Sequence, residues 1–268
     1  MNQLSVILDR SLNRLKKNMK ADGFCFLPTI FSSSQVNSAR DALWDVIQGK
    51  YETGVEPEER FWSIGDDPES IIKIDKPHLC NEDIWNLITD VDLGIWLADI
   101  TEAKMVQVWH SQAVWKPPGG GEKGNAGWHR DTQYWPFWKP DGVFTAWIAL
   151  TDVVEESGPV RYICGSNEWE RVEGLDFFNK NISEQDEILK RAHEDYDVVS
   201  ANIKKGQISI HTSRVYHSSR PNISNDPRIG MVVHFCTDIA ERIPISGENS
   251  DYLNKREDES ICPVIYSR

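Results

Sequence analysis

The spacing of apolar residues changes character once along the chain, near residue 104. Before that point, Leu4, Ile7, Leu8, Leu12, Leu15 and Met19 recur at helical intervals and stop at the breaker pair Asp22-Gly23. This predicts an amphipathic helix. Phe24-Cys25-Phe26-Leu27, closed by Pro28, reads as a short strand. Ser32, Ser33 and Ser34 offer N-caps to a second helix with an apolar face of Val36, Ala39, Leu43, Val46 and Ile47. The acidic stretch 51–70, which contains Pro and Gly, is expected as loop. Asn81, followed by Glu82 and Asp83, caps a third helix through Trp85, Leu87 and Ile88. The two acids complement its dipole.

Beyond residue 104, short β-branched and aromatic runs alternate with Gly, Pro, Asn and Asp. The runs are Met105–Trp115, Val143–Val153, Val160–Cys164, Gln207–His211 and Ile229–Cys236. This is the pattern of an antiparallel system, a sandwich or jelly roll. A polar insertion at 167–200 interrupts it and is expected to be helical through Glu184–Glu194. The chain shows no internal repeat, low-complexity tract or clean linker. One domain over 1–268 is therefore expected, mainly β, with a helical flank (1–103) and a β core (104–240).

Composition narrows the function classes. The 268 residues carry 29 Lys+Arg against 42 Asp+Glu, a net charge of −13, which disfavours nucleic acid as a partner. An apolar share of 40% with 26% charged residues suits a globular protein. No apolar run is long enough to span a membrane, and the first twenty residues mix charge into their apolar positions, unlike a secretory signal. Cys25, Cys80, Cys164, Cys236 and Cys262 are scattered without a CxxC pair, as expected of a reduced, cytoplasmic protein. Trp109, Trp115, Trp128, Trp135, Trp138 and Trp147 crowd together beside Tyr134 and Phe137. Taken alone they read as core; they could also wall a pocket.

The candidate chemistry lies in His129-Arg130-Asp131. On an extended segment, side chains at i and i+2 share a face, so an imidazole and a carboxylate can reach adjacent corners of one metal. His217, after the strand Gln207–His211 and a short connection, is a candidate third ligand. Two His and one carboxylate on one face of an octahedron form the triad of non-haem Fe(II) oxygenases. Arg228 opens the strand Ile229–Cys236 after a Pro- and Asn-containing turn. Its planar fork would suit the distal carboxylate of a chelating 2-oxo acid; alone, a surface ion pair is the simpler reading.

Four ordered blocks resemble the phytanoyl-CoA dioxygenase family. Gly127-Trp128-His129-Arg130-Asp131-Thr132 is similar to its W-H-x-D block, and His110–Gly119 to the strand before it. Ala146-Trp147-Ile148-Ala149-Leu150-Thr151-Asp152, followed by Glu156-Ser157-Gly158 and Gly165-Ser166, resembles the next block. His211 to Arg228, with His217-Ser218-Ser219 and Pro221-Asn222, resembles the closing block. Ser218 stands where the family usually has Gly, and Asn167 ends the turn that usually ends in His.

The resemblance implies a double-stranded β-helix (jelly roll) using Fe(II), 2-oxoglutarate and O2. It implies His129, Asp131 and His217 as metal ligands and Arg228, helped by Ser219, on the distal carboxylate of 2-oxoglutarate. Gln112 and Trp147 match positions that line the cosubstrate or substrate pocket. His211, six residues before His217, competes as distal ligand, but the spacing to Arg228 favours His217. The implied reaction oxidises an unactivated C–H bond, most simply by hydroxylation, and releases succinate and CO2. The carboxylate at Asp131 argues against halogenation.

The expected substrate is a small free metabolite, with an amine or an aromatic ring as candidates for the aromatic faces. A coenzyme A thioester would call for basic residues at the mouth, for which Lys116, Lys123 and Lys139 are present in a chain of net charge −13. The insertion 167–200 and the loop 51–70 are the expected lids. A homodimer is compatible with the pattern and not required by it. Two other classes stay open: a cupin-type metalloenzyme without 2-oxoglutarate, and a non-catalytic β-sandwich binding module.

Overall fold

The computed structural model describes residues 3–245 and 255–268. Four helices precede or flank the first long strand: α1 (Gln3–Asp22), α2 (Ser33–Ile47), α3 (Glu82–Ile88) and α4 (Val91–Thr101). The first three match the predicted helices. Leu4, Ile7 and Leu8 of the expected stripe lie outside the residues whose side chains are described, while Leu15 and Met19 are buried. The Ser32 side chain accepts from the Gln35 backbone N–H while Gln35 returns a bond to the Ser32 N–H, closing a capping box on α2. Asn81 caps α3 through the N–H of Asp83 at 2.8 Å. Helix α4 was not predicted: Gly94 interrupts its sequence and apolar residues occupy most of its surface, leaving no clear amphipathic stripe.

The strands are β1 (Phe24–Leu27), β2 (Glu59–Arg60), β3 (Ile72–Asp75), β4 (Met105–Lys116), β5 (Ala126–His129), β6 (Val143–Ala149), β7 (Val160–Ile163), β8 (Val198–Ser200), β9 (Ile208–Thr212), β10 (His217–Ser219), β11 (Arg228–Thr237) and β12 (Val264–Ser267). They form an eight-stranded sheet in the order β1-β9-β6-β11-β4-β3-β2, with β12 also on β4, and a four-stranded sheet β5-β10-β7-β8. All pairings are antiparallel. This is the expected jelly roll. The expected loop 51–70 contains the two-residue β2, and the insertion holds α5 (Ile182–Ala192) as anticipated.

Strand β11 is buried from end to end, and its period-two alternation separates two jobs. Ile229, Met231, Val233 and Phe235 join Ala146, Ile148, Ile208 and Ile210 in the core shared with the N-terminal helices. Arg228, Gly230, Val232 and His234 project from the opposite face, where Arg228, Val232 and His234 border a cavity. One face of the large sheet thus holds the scaffold and the other furnishes the site.

An ion pair between a buried lysine and a solvent-facing glutamate fixes the approach to β4. Lys76 is fully buried with a left-handed backbone (φ 52°) and lies 2.5 Å from Glu58 Oε2, while Lys255 reaches Glu58 Oε1 at 3.3 Å. Burial alone would raise the Glu58 carboxyl, but the hydrogen bond and charge of Lys76, then Lys255, hold it below its ordinary value. A depressed acid stabilises the fold above its unfolded pKa, about 4.3 for Glu, and that contribution is lost as pH falls through the lower folded value. Glu58→Gln should therefore cost about 1–2 kcal/mol at pH 7, below the range for breaking a fully buried pair because Lys76 is buried but Glu58 meets solvent. The cost should shrink on acidification. Urea denaturation at pH 7 and pH 4 checks it; an unchanged midpoint at pH 7 would contradict it.

Candidate metal centre and its cavity

His129 ends β5 and His217 begins β10, and the two stand directly opposite each other in the register. Their rings lie 4.1 Å apart. Arg130 keeps an extended backbone (φ −110°, ψ 144°), so residues 129 and 131 project to the same side as the spacing predicted. Arg130 turns the other way, donating from Nη2 to the Ser166 carbonyl at 2.8 Å and lying 4.3 Å from the Tyr216 ring. That anchor pins the turn after β5. One ligand atom each from His129, Asp131 and His217 falls within 4.8 Å of the others, and all three residues are buried.

The hydrogen bonds set which atoms face inward. His129 Nδ1 donates to the Gly127 carbonyl at 2.8 Å, and His217 Nδ1 to the Val215 carbonyl at 3.1 Å. Each ring therefore keeps its Nε2 lone pair for a metal. Burial pushes both imidazoles below their ordinary pKa, for His217 with added repulsion from His129, so both are neutral near pH 7. Burial also opposes ionisation of Asp131, but the positive charge His217 takes on when protonated, and then the hydrogen bond and charge of His211, outweigh it and hold the carboxyl well below the usual range. Two neutral imidazoles and one carboxylate suit a divalent first-row cation.

Asp131 is held from behind by the large sheet. Thr145 Oγ1 donates to Asp131 Oδ2 at 2.7 Å, and His211 Nε2 lies 3.2 Å from the same oxygen. Oδ1 is left 3.6 Å from His217 Nε2. Because the Thr145 proton is used on Asp131, Thr145 accepts from His234 Nδ1 at 2.9 Å. His234 is stacked on His110 with 5.2 Å between ring centres, and burial, reinforced by His110, pushes it down to about 3. Thr145→Val should cost about 10- to 100-fold in metal affinity, the usual effect of removing a group that orients a ligand. Anaerobic Fe(II) titration checks it; wild-type affinity would contradict the role.

A cavity of about 200 Å³ runs from these ligands along the inward face of β11 to Arg228. Arg228 is buried; its Nη1 donates to the Gly158 carbonyl at 2.7 Å, and among the described residues its Nε has no hydrogen-bond partner. Gly158 has φ +69°, a conformation glycine adopts freely, and this turn aims its carbonyl at the guanidinium. Trp147 packs over Gly230, where a Cβ would come within 2.1 Å of the indole. Its ring lies 5.1 Å from the Arg228 guanidinium carbon. Gln112 and Ser219 also line the cavity, as do His129, Asp131, His217, Arg228 and Trp147, so the expected metal and cosubstrate residues share this space.

Other expectations are redistributed. His211 sits on β9, in the other sheet from His217, and contacts Asp131 instead of joining the ligand cluster. Among the clustered tryptophans, Trp135 and Trp147 border the cavity. Trp109, Trp135, Phe137 and Trp138 form a buried cluster, Trp128 belongs to another, and Trp115 packs on Trp44. Lys123 and Lys139 pair with Asp67 and Glu241, and Lys116 is buried beside Arg228, not placed at a mouth.

Sequence reading missed Thr145, His234 and the rim residues Lys73, Phe177 and Phe178. Thr145 was reachable through the alternation that puts it on the face of Trp147, and Phe177-Phe178 is an aromatic pair inside an otherwise polar insertion. Tyr134 tethers that insertion, donating to Asp176 Oδ1 at 2.6 Å and accepting from the Phe177 N–H at 2.8 Å. Lys73 Nζ lies 4.2 Å from the Phe61 ring and 5.8 Å from that of Phe177. Lys73 thus lies near one ring from each expected lid segment.

A jelly roll with two His and one carboxylate converging at one end of its inner cavity is the framework of non-haem Fe(II) oxygenases. The chain belongs to the phytanoyl-CoA dioxygenase (PhyH) family, whose model matches residues 19–230. Solved structures share the fold at low identity. The non-haem α-ketoglutarate-dependent carbocyclase SnoK of nogalamycin biosynthesis is 20% identical, with a TM-score of 0.70 over 90% of this chain and 89% of its own. The epimerase SnoN, solved with Fe3+, α-ketoglutarate and nogalamycin RO, is 17% identical, with a TM-score of 0.67 over 88% and 87%. EctD from S. alaskensis, solved with 2-oxoglutarate and 5-hydroxyectoine, is 19% identical, with a TM-score of 0.64 over 84% and 75%. No curated protein sequence matches the chain. Among the described residues, no helix is long and apolar enough to cross a membrane.

Proposed function

We propose that the protein is an Fe(II)- and 2-oxoglutarate-dependent dioxygenase that hydroxylates an unactivated C–H bond of a small molecule. In this reading His129, Asp131 and His217 hold the iron, and Arg228 with Ser219 holds the distal carboxylate of 2-oxoglutarate. Gln112 and Trp147 wall the space between. The observation that carries it is one cavity joining a three-ligand cluster to a buried guanidinium whose Nε has no partner among the described residues. A cupin-type enzyme without 2-oxoglutarate would leave that guanidinium without a ligand. Bound iron would supply the oxidising chemistry that couples O2 and 2-oxoglutarate, giving succinate and CO2, to attack on the substrate.

The chain's residues do the rest. The two Nδ1–carbonyl bonds fix the imidazoles, Thr145 and His211 restrain Asp131, and the aromatic rim shields the interior from water. Asp131 fills the position a halide would need, which favours oxygen insertion. Aromatic faces at Tyr134, Trp135, Phe177 and Phe178 with Lys73 as the cation among them favour a flat or apolar body over an amine. The neutralised Lys123 and Lys139 favour a free metabolite over a coenzyme A thioester. Five free thiols, four of them buried, suit a reducing, cytoplasmic setting.

The test is a screen of small apolar and aromatic metabolites under 18O2, reading succinate and labelled product together. Succinate matched by one labelled oxygen in the product supports hydroxylation. Substrate-coupled succinate with unlabelled, epimerised or cyclised product would overturn hydroxylation while keeping the cosubstrate.

A further inference from the structure

Two cations are buried side by side at the end of the cavity away from the metal ligands. Lys116 closes β4 directly across from Arg228 at the start of β11, and they are 1% and 2% exposed. Among the described residues neither forms an ion pair with a carboxylate. Lys116 Nζ donates to Ser219 Oγ at 2.6 Å and to the Arg220 carbonyl. Burial, and after it the neighbouring Arg228, push the Lys116 ammonium well below its ordinary pKa. Burying like charges together without a counter-ion is costly, and two apolar residues would fill the space more stably. An anion entering the cavity would relieve that cost.

The donor inventory points the same way. An ammonium has three N–H groups and accepts nothing, so two are placed on Ser219 and Arg220 and the third remains for a ligand in the cavity that Lys116 lines. Ser219 Oγ is necessarily the acceptor from Lys116, which leaves its own hydrogen free to donate.

We propose that Lys116 is a second cation of the distal-carboxylate site. It acts beside Arg228 and orients the Ser219 hydroxyl, so that the site selects 2-oxo dicarboxylates over 2-oxo monocarboxylates. The inference rests on the reading above that Arg228 receives the distal carboxylate. A merely structural lysine would use the same two bonds to tie β4 to the end of β10, and its loss would lower stability without touching ligand choice.

The experiment compares wild type, Lys116→Met and Ser219→Ala as Fe(II)-loaded, anaerobic proteins. Each is titrated with 2-oxoglutarate and with 2-oxovalerate, which has the same carbon chain without the distal carboxylate. Melting temperatures are recorded with and without each acid. Lys116→Met should weaken 2-oxoglutarate binding about 10- to 100-fold, the range for losing a charged hydrogen bond, while 2-oxovalerate binding stays near wild type. Its ligand-free melting temperature should hold or rise, and its gain on adding 2-oxoglutarate should shrink. Ser219→Ala should show a smaller loss, and the double variant should lose no more than Lys116→Met alone.

Wild-type affinity for 2-oxoglutarate in Lys116→Met, or an equal loss for both acids, would overturn the role of Lys116 alone. A wild type that binds iron but neither acid would overturn the cosubstrate reading with it. Should Lys116→Met fail to fold, Lys116→Gln, which keeps a donor to Ser219, must show the same selective loss.

Discussion

Replacing His129 by Ala should leave the fold intact and abolish iron binding. The loss should exceed about 100-fold, because even groups that only orient a metal ligand cost about 10- to 100-fold. His129 donates one of three ligand atoms clustered within 4.8 Å, and its partners do not form a site without it. The β5–β10 pairing that holds it rests on backbone bonds and on the Arg130 anchor, neither of which needs the imidazole. Metal content and anaerobic Fe(II) titration read the effect directly, and succinate formation should vanish with it. Iron bound at wild-type affinity would remove His129 from the ligand set.

Replacing Arg228 by Leu should spare iron and remove 2-oxoglutarate. Truncating one member of a buried charge pair costs about 2–5 kcal/mol, roughly a 30- to 5,000-fold loss of affinity. Arg228→Lys should not rescue it, because a single ammonium cannot reproduce the planar fork that spans Gly158 and the cavity. Anaerobic titration of the iron-loaded variant with 2-oxoglutarate checks this. Unchanged affinity would mean that the guanidinium only braces the Gly158 turn.

These effects separate what the sequence could show from what needed the fold. The long strands were legible because β6 and β11 read as largely apolar runs, while β4 and β9 set β-branched and aromatic residues among a few polar ones. The pair His129 and Asp131 was legible because an extended backbone puts alternate residues on one face. His217 and His211 are both histidines near an apolar strand. The spacing to Arg228 favours His217, and the sheet assignment bears that out, with His217 opposite His129 and His211 opposite Thr145.

Lys116 illustrates the opposite case. A lysine at a strand end ordinarily marks solvent, and nothing local shows that β11 brings Arg228 against it. Helix α4 escaped notice for a packing reason. It is wedged against β12 so closely that a Cβ on Gly94 would lie 2.3 Å from the Ile265 carbonyl oxygen. The aromatic cluster serves both of the readings the sequence left open: Trp109, Trp135 and Trp138 share one buried cluster, Trp128 and Trp147 enter two others, and Trp135 and Trp147 also border the cavity.

The most direct test of the account is anaerobic addition of Fe(II) to the metal-free protein, then 2-oxoglutarate, while the visible spectrum is followed. One cavity joining the ligand cluster to Arg228 predicts that a single equivalent of iron binds and that 2-oxoglutarate then raises a metal-to-ligand charge-transfer band, absent in His129→Ala. Iron binding with no such band, at concentrations of 2-oxoglutarate that saturate other proteins of this fold, would contradict it.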